Sequence, residues 1–127
     1  MVALTTLVDT SVLIGDKGPP DGRPQGGWAL SAIAVGELHA GVLMAVDPGV
    51  RAARLRRLTA VLGAAPVLDI DRAVAARFGD LRAAVKRSAT NDLWIAATAL
   101  AHDLTLLTSD LRQAALPLIR ARLLARD

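Results

Sequence analysis

The chain has 127 residues, of which 53% are hydrophobic and 21% charged, and this composition is typical of one compact domain with an apolar core. It has no cysteine and only two histidines, which excludes disulfides, a cysteine nucleophile and zinc sites built from thiolates or clustered histidines. Fifteen Lys and Arg residues against twelve Asp and Glu give a net charge of +3, which permits binding to a polyanion. We expect a single domain over residues 1–127, in which any metal is held by oxygen ligands.

The sequence also restricts location and binding mode. The amino terminus has no basic segment ahead of an apolar one, and no stretch reaches the roughly 18 consecutive apolar residues of a membrane helix. A cytoplasmic protein with no membrane partner is therefore expected. Only 2% of the residues are aromatic, so an RNA-binding surface of stacked aromatic side chains is not expected.

The first third of the chain alternates apolar runs with helix signals. Leu4 to Val8 predicts a buried strand that ends at Asp9. The segment from Gly15 to Gly27 is dense in Gly and Pro and predicts a surface loop. Trp28 to Ser31 predicts a second strand, whose last residue caps a helix from Ala32 to about Val46.

An amphipathic helix with a basic outer side is predicted next. It covers Val50 to Leu62 and is closed by Gly63. Its basic residues are expected to form a solvated face that is available to RNA phosphates or to a protein partner; they are Arg51, Arg54, Arg56 and Arg57.

The following segment predicts a strand and two helices. Pro66 to Leu68 is a candidate third strand, and a helix is expected from Asp69 or Asp71 to about Arg87. Asn91 is expected to cap a helix from Asp92 to His102. The body of this last helix is apolar nearly all round, which predicts that it is buried.

A fourth strand over Leu104 to Leu107 precedes Thr108, Ser109 and Asp110. A further helix and a short strand are expected in the remainder, where Pro117 obscures the boundaries. Strands that alternate with helices predict an α/β fold with a parallel sheet covered on both faces.

Four acids are expected near one edge of this sheet, because ligands of open α/β sheets bind beyond the carboxyl ends of the strands. Asp9 and Asp110 follow strands, and Asp92 opens the buried helix, whose unpaired N–H groups favour an anion. Glu37, the single Glu of the chain, lies on an apolar, small-residue helix face. We call these residues the four acids.

Four carboxylates in one place need a compensating charge. At about 4 Å and an effective dielectric constant near 20, each like-charged pair repels by about 4 kcal/mol. Either some of the four acids are protonated or a divalent cation lies among them. With a cation bound, fifteen basic residues would face the eight remaining acids. Such an acidic pocket in a basic surface is typical of metal-dependent phosphodiester hydrolysis, in which the cation lowers the pKa of a bound water.

Three segments resemble the PIN-domain ribonucleases, and at this length the VapC toxins of bacterial toxin–antitoxin pairs. They are LVDTSVLI, SAIAVGELHAG and NDLWIAATALAHDLTLLTSD. The resemblance implies a PIN-like three-layer α/β/α fold with a central parallel sheet of four to five strands. It further implies an endoribonuclease that uses Mg²⁺ or Mn²⁺ to cut tRNA or rRNA, forms a homodimer and is silenced by a VapB-like antitoxin.

The resemblance also implies roles for the four acids. Asp9 and Asp92 correspond to the main metal ligands, and Asp110 completes the site directly or through water. Glu37 corresponds to the helix acid that orients or helps to deprotonate the attacking water.

Two hydroxyl residues, Ser11 and Thr108, resemble those that hold the family's carboxylates in place. The chain departs from the family in two respects. His102-Asp103 stands where a Gly often precedes the fourth strand, and the residues after Asp110, LRQAALP, lack the usual Asp-Phe.

Other interpretations stay open at this point. Asp9 and Asp92 could simply cap helices, and His39 and His102 are expected to be surface or structural residues. The protein could be a degenerate PIN domain or a receiver-like domain that binds without catalysis, or a DNA-directed nuclease with a similar site. A receiver would need a pair of acids after its first strand, and an Asp-x-Asp phosphatase would need an acid where Ser11 stands.

Two contacts with partners are also predicted. Lys86 and Arg87 precede Asp92 and are candidate RNA-binding residues. An antitoxin tail is expected to place an Arg or Lys near Asp9 and Asp92, while its apolar residues cover a groove beside the Glu37 helix.

Overall fold

The structure, a computed structural model, describes residues 3–13 and 26–124. The described residues form five strands and six helices in the order β1 Leu4–Val8, α1 Thr10–Leu13, β2 Gly27–Ser31, α2 Ala32–Met44, α3 Pro48–Ala64, β3 Val67–Leu68, α4 Arg72–Ala84, α5 Thr90–Ala101, β4 Thr105–Thr108, α6 Leu111–Ala114 and β5 Ala121–Leu123.

The five strands form one parallel sheet in the order β3-β2-β1-β4-β5. The central strand β1 pairs with β2 through Leu7 and Ala29, and with β4 through Leu7 and Leu106. Because every pair is parallel, all carboxyl ends of the strands lie at the same edge. The predicted α/β fold with a parallel sheet of four to five strands is confirmed.

Alternating side chains of β1 supply two separate core layers. Leu7 belongs to the layer that contains residues of α4 and α5, including Leu81 and Ile95, whereas Val8 belongs to a layer with Val61 of α3. Across the first layer, α4 and α5 also meet through two aromatic rings, since Phe78 and Trp94 stack with centroids 3.9 Å apart. Helices thus cover both faces of the sheet, which gives three layers.

Side-chain caps fix the starts of three helices. Ser31 accepts a hydrogen bond from the Ala34 N–H of α2, as predicted, and Asp47 does the same for α3. Of the two candidate caps for α4, Asp71 makes the hydrogen bond, to the N–H of Val74 at 3.0 Å. Helix starts of this kind can be predicted from sequence, because the capping side chain accepts a hydrogen bond from an N–H that would otherwise be unpaired.

Two predicted helix boundaries were wrong. Gly63 does not close α3, which continues through it to Ala64. Asn91 does not cap α5, because this helix begins at Thr90 and its N-cap residue, Ala89, has no side chain able to accept a hydrogen bond. Asp92 is therefore inside the first turn of α5 and is not its cap.

Three other predicted ends differ by a few residues. Helix α2 ends at Met44 rather than near Val46, and α4 ends at Ala84, so that Arg87 lies in the loop before α5. Most of the predicted Gly15 to Gly27 loop, positions 15–25, lies outside the described residues, and Gly27 is the first residue of β2.

The arginines of α3 form an exposed face as expected, except for Arg57, but three of them also donate to neighbouring backbone carbonyls. Arg51 donates to the Ala45 carbonyl and Arg54 to the Gly41 carbonyl, which satisfies acceptors at the end of α2. Arg57 is half-buried and donates to the Leu13 carbonyl. The arginines therefore fasten α3 to neighbouring backbone. Within residues 3–13 and 26–124, no helix is long and apolar enough to cross a membrane.

Candidate active site

The structure brings the four acids together at the carboxyl edge of the sheet. Asp9 directly follows β1, and Asp110 follows the adjacent strand β4 by two residues. Asp92 lies in the first turn of α5, and Glu37 lies in α2. Burial and, after it, the negative charges of Asp9, Asp110 and Glu37 raise the pKa of Asp92 from 3.8 to about 6. Asp92 is therefore within electrostatic reach of the other three acids.

Asp9 is the most buried of the four acids, with 4% of its surface exposed. Its Oδ2 accepts a hydrogen bond from the Ser11 N–H at 3.0 Å and lies 3.4 Å from the Thr108 hydroxyl. The Ser11 and Thr108 hydroxyl oxygens are 3.2 Å apart, and the Ser109 N–H donates to Ser11. Both hydroxyl residues named from the sequence thus lie beside Asp9, and they join its loop to the end of β4.

Thr108 connects several groups through one buried hydroxyl. Its Oγ1 accepts from the Asp110 N–H at 3.0 Å and donates to Oε1 of Gln113 at 2.7 Å. A hydroxyl has only one proton to donate. Gln113 Oε1, at 2.7 Å, is a better acceptor for this proton than Asp9 Oδ2, at 3.4 Å. Asp110 in turn accepts from the N–H of Arg112 through Oδ1. The end of β4 and the start of α6 are thus one hydrogen-bonded unit.

Glu37 has a partner that the sequence analysis did not assign. The Thr10 hydroxyl donates to Glu37 Oε1 at 2.7 Å. No local sequence pattern relates Thr10 to a glutamate in another helix. This bond holds one carboxylate oxygen of Glu37, and it links α1 to α2 next to Asp9.

The two candidate RNA-binding residues lie in the α4–α5 loop and are both exposed. Arg87 lines a cleft of about 160 Å³, whose walls also include Asp92 and Asp110, whereas Lys86 is not part of this wall. The structure thus brings Arg87 to the four acids and leaves Lys86 outside the cleft. His39 and His102 are exposed surface residues.

The donor set suits a hard divalent cation in its chemistry. Carboxylate oxygens are the ligands that Mg²⁺ and Mn²⁺ prefer, and a cation would offset the repulsion that raises the pKa of Asp92. Among residues 3–13 and 26–124, no three His, Asp or Glu side chains lie close enough together to ligate one ion. The acids therefore fit the metal by their chemical type and by their location at the carboxyl edge of the sheet.

Comparison with known proteins assigns the family. The sequence profile of the PIN domain matches residues 6–118. The chain belongs to the PIN-domain family. It is 42% identical over 118 residues to ribonuclease VapC4 of Mycobacterium tuberculosis, a match that covers 87% of this chain and 90% of that protein. This similarity places the chain in the VapC branch and confirms the predicted family.

Solved structures of PIN-domain proteins have the same fold. The VapBC-5 complex of Mycobacterium tuberculosis, a toxin–antitoxin system, matches with a TM-score of 0.80 and 32% identity over 96% of this chain and 99% of that one. FitAcB of Neisseria gonorrhoeae matches with a TM-score of 0.74 and 28% identity over 92% and 96% of the two chains. The predicted PIN-like three-layer fold is confirmed.

Proposed function

We propose that this PIN-domain protein is a metal-dependent endoribonuclease and the toxin of a toxin–antitoxin pair, which cleaves tRNA or rRNA in the cytoplasm. The observation that carries the proposal is the gathering of the four acids at the carboxyl edge of the sheet, where Asp92 is affected by the charges of the other three. The identity with a ribonuclease of the VapC branch supports RNA as the substrate.

Asp9 and Asp92 are proposed as the main ligands of Mg²⁺ or Mn²⁺, with Asp110 as a further ligand, directly or through water. Each flanking aspartate uses one carboxylate oxygen in a backbone hydrogen bond: Oδ2 of Asp9 at Ser11, and Oδ1 of Asp110 at Arg112. The second oxygen of each remains for a cation. When bound, the cation lowers the pKa of a water and stabilises negative charge on the phosphate.

Glu37 is proposed to orient the attacking water and accept its proton. The Thr10 hydroxyl occupies Oε1, which fixes the carboxylate and leaves Oε2 for the water. The Ser11 N–H holds Oδ2 of Asp9, and the Thr108 hydroxyl, which is hydrogen-bonded to Ser11, holds the Asp110 N–H and Gln113 Oε1 beside it. In this mechanism no residue of the chain forms a covalent bond to RNA.

A VapB-like antitoxin and a second copy of the chain are the proposed protein partners. VapBC-5, at 32% identity, belongs to a toxin–antitoxin family. At the carboxyl end of α2, the Glu37 helix, two apolar side chains are strongly exposed, Leu43 and Met44 at 72% and 77%, and Val46, two residues beyond the helix, is 94% exposed. Such a patch suits an apolar segment of a partner. An Arg or Lys of the antitoxin near Asp9 and Asp92 would compete with the cation for the carboxylates.

Cleavage of total cellular RNA by the antitoxin-free protein tests the proposed activity. We expect discrete fragments with Mg²⁺ or Mn²⁺, none with EDTA, and none with Asp9→Asn or Asp92→Asn. Asp69→Asn is the matched control, because Asp69 is exposed and is not among the charges that act on Asp92. Absence of cleavage by folded, metal-binding protein would favour a binding-only PIN domain, and preferential cleavage of DNA in a parallel reaction would favour a DNA-directed nuclease.

A further inference from the structure

A cleft extends from one side of the four acids, between the α4–α5 loop and α6. It has a volume of about 160 Å³ and contains Asp92 and Asp110 but neither Asp9 nor Glu37. An RNA strand that passes over all four acids would therefore continue into this cleft. Its lining is completed by Arg87, Ser88, Ala89, Arg112, Gln113 and Leu116.

The two arginines of the cleft have no carboxylate partner among residues 3–13 and 26–124. Arg87 and Arg112 are both exposed, and within the described residues neither guanidinium forms a salt bridge. Elsewhere the exposed guanidinium of Arg120 is paired, with Asp103 at 2.8 Å. A pair of unengaged guanidiniums next to an acidic site suits an anion, because Arg binds phosphate through several N–H groups at once.

Gln113 adds a neutral donor to the same cleft. Its side chain is 1% exposed, and its Oε1 accepts the Thr108 hydroxyl proton. Its Nε2 is buried and has no hydrogen-bond partner among the described atoms. Buried amide groups are nearly always paired, so an unpaired donor in the wall of a cleft indicates that a ligand or an ordered water completes it.

We propose that this cleft binds a phosphodiester group of the RNA strand, adjacent to the one that is cleaved. Arg87 and Arg112 supply positive charge, and Gln113 Nε2 supplies a hydrogen bond when the strand is bound. The proposal rests on the proposed function and extends it by naming a second phosphate site. It also assigns roles to Arg112 and Gln113, which lie in the segment after Asp110 that departs from the family pattern.

Binding of a short single-stranded RNA tests the cleft independently of cleavage. The full chain carries Asp9→Asn to prevent turnover, and fluorescence anisotropy is measured from 50 to 300 mM KCl. We expect Arg87→Ala and Arg112→Ala each to weaken binding by about threefold to tenfold and to reduce the slope of log K against log salt by about 0.7, the value for one phosphate contact on a single strand. Arg72→Ala is the matched control, since Arg72 is an exposed arginine at the opposite end of α4.

Gln113→Met tests the amide donor without adding a charge. Methionine is similar in size to glutamine, but it removes the Nε2 donor together with the oxygen that accepts from Thr108, and we expect weaker RNA binding, measured at a temperature at which the variant is folded. If Arg87→Ala and Arg112→Ala match Arg72→Ala in affinity and salt dependence, the cleft is not a phosphate site. The same conclusion follows if they weaken only the binding of the antitoxin, in which case an acidic side chain is the ligand.

The failure of this inference is distinguishable from failure of the proposed function. If the wild-type protein, which retains Asp9, cleaves RNA, and the Arg87→Ala and Arg112→Ala variants bind RNA like Arg72→Ala, only the inference about the cleft is wrong. If that protein cleaves no RNA with any metal, the proposed function is wrong, and the binding measurements still decide whether the cleft holds a phosphate.

Discussion

Replacing Asp92 by Asn should stabilise the metal-free protein. The raised pKa of Asp92 means that its ionised form is disfavoured in the folded state, by its burial and by the charges of Asp9, Asp110 and Glu37. An amide of nearly the same shape removes this cost. The substitution would therefore exchange the proposed metal binding for stability.

The pKa gives both the size and the pH range of the effect. A rise from 3.8 to about 6 corresponds to about 3 kcal/mol if it is converted in full. The carboxyl is open to the cleft, and solvent screening reduces the expected gain to about 1 kcal/mol. Between pH 4 and pH 6 the folded state holds more protons than the unfolded state, so the stability of the wild type falls as pH rises through this interval. Above about pH 7 the loss is complete.

Urea unfolding in EDTA at a series of pH values measures this effect. The difference between Asp92→Asn and the wild type should be near zero at pH 4 and grow to about 1 kcal/mol at pH 7.5. Asp69→Asn should show no such growth. Addition of Mg²⁺ or Mn²⁺ at pH 7.5 should stabilise the wild type more than the variant. A variant that is less stable than the wild type at every pH, or a difference that does not change with pH, would refute the electrostatic argument.

Three further substitutions test the supporting structure. Thr108→Val should destabilise the protein by about 2 kcal/mol in urea unfolding, because it leaves the Asp110 N–H and Gln113 Oε1 unpaired, and Thr108→Ser should recover most of the loss. Asp103 has a φ of 54°, a conformation that glycine adopts more freely than alanine. Asp103→Ala should therefore be about 1 kcal/mol less stable than Asp103→Gly in urea unfolding, because both variants lose the salt bridge to Arg120 and differ only in backbone freedom. Equal stabilities of the two variants would contradict this reasoning. Arg51→Ala should cost about 1 kcal/mol through its lost bonds to the end of α2 and leave RNA cleavage unchanged; a cleavage defect would indicate that Arg51 contacts RNA.

The elements that the sequence predicted best are those with a local physical signal. The apolar run Leu4–Val8 became β1 with the predicted limits, and the Ser31 cap marked the start of α2. The start of α5 could not be located in this way, because Ala89 and Thr90 supply no side-chain cap. Gly63 misled because an exposed glycine within a helix costs only about 1 kcal/mol, which packing of α3 on the sheet readily exceeds.

The departure from the family pattern before β4 has a simple structural outcome. The residue at the turn, Asp103, adopts the left-handed conformation that glycine takes most easily. Aspartate tolerates this region better than most residues, and the Arg120 guanidinium contacts both its side chain and its carbonyl. The turn is therefore formed without glycine.

The positions of Asp9 and Asp110 at one edge could be predicted, because topology alone brings the ends of adjacent parallel strands together. The groups that hold and extend the site could not be predicted in this way. Thr10 meets Glu37 across 27 positions, and the role of Gln113 depends on a side-chain contact with Thr108. Such contacts follow from the packing of α1 and α6 against the sheet, which no sequence periodicity encodes.

The sequence left two roles open for both Asp9 and Asp92, that of a helix cap and that of a metal ligand. The structure differs between the two residues in this respect. A carboxylate has two oxygens, and Asp9 binds the N–H of Ser11 in the first turn of α1 with one of them, so a structural role and a ligand role are compatible. The backbone bond also orients the second oxygen. Asp92 forms no cap, and its pKa carries the effect of the neighbouring charges. An acid that forms no cap and is costly to ionise gains only the helix-dipole interaction of the first turn, so the proposed cation would supply the charge that offsets this cost.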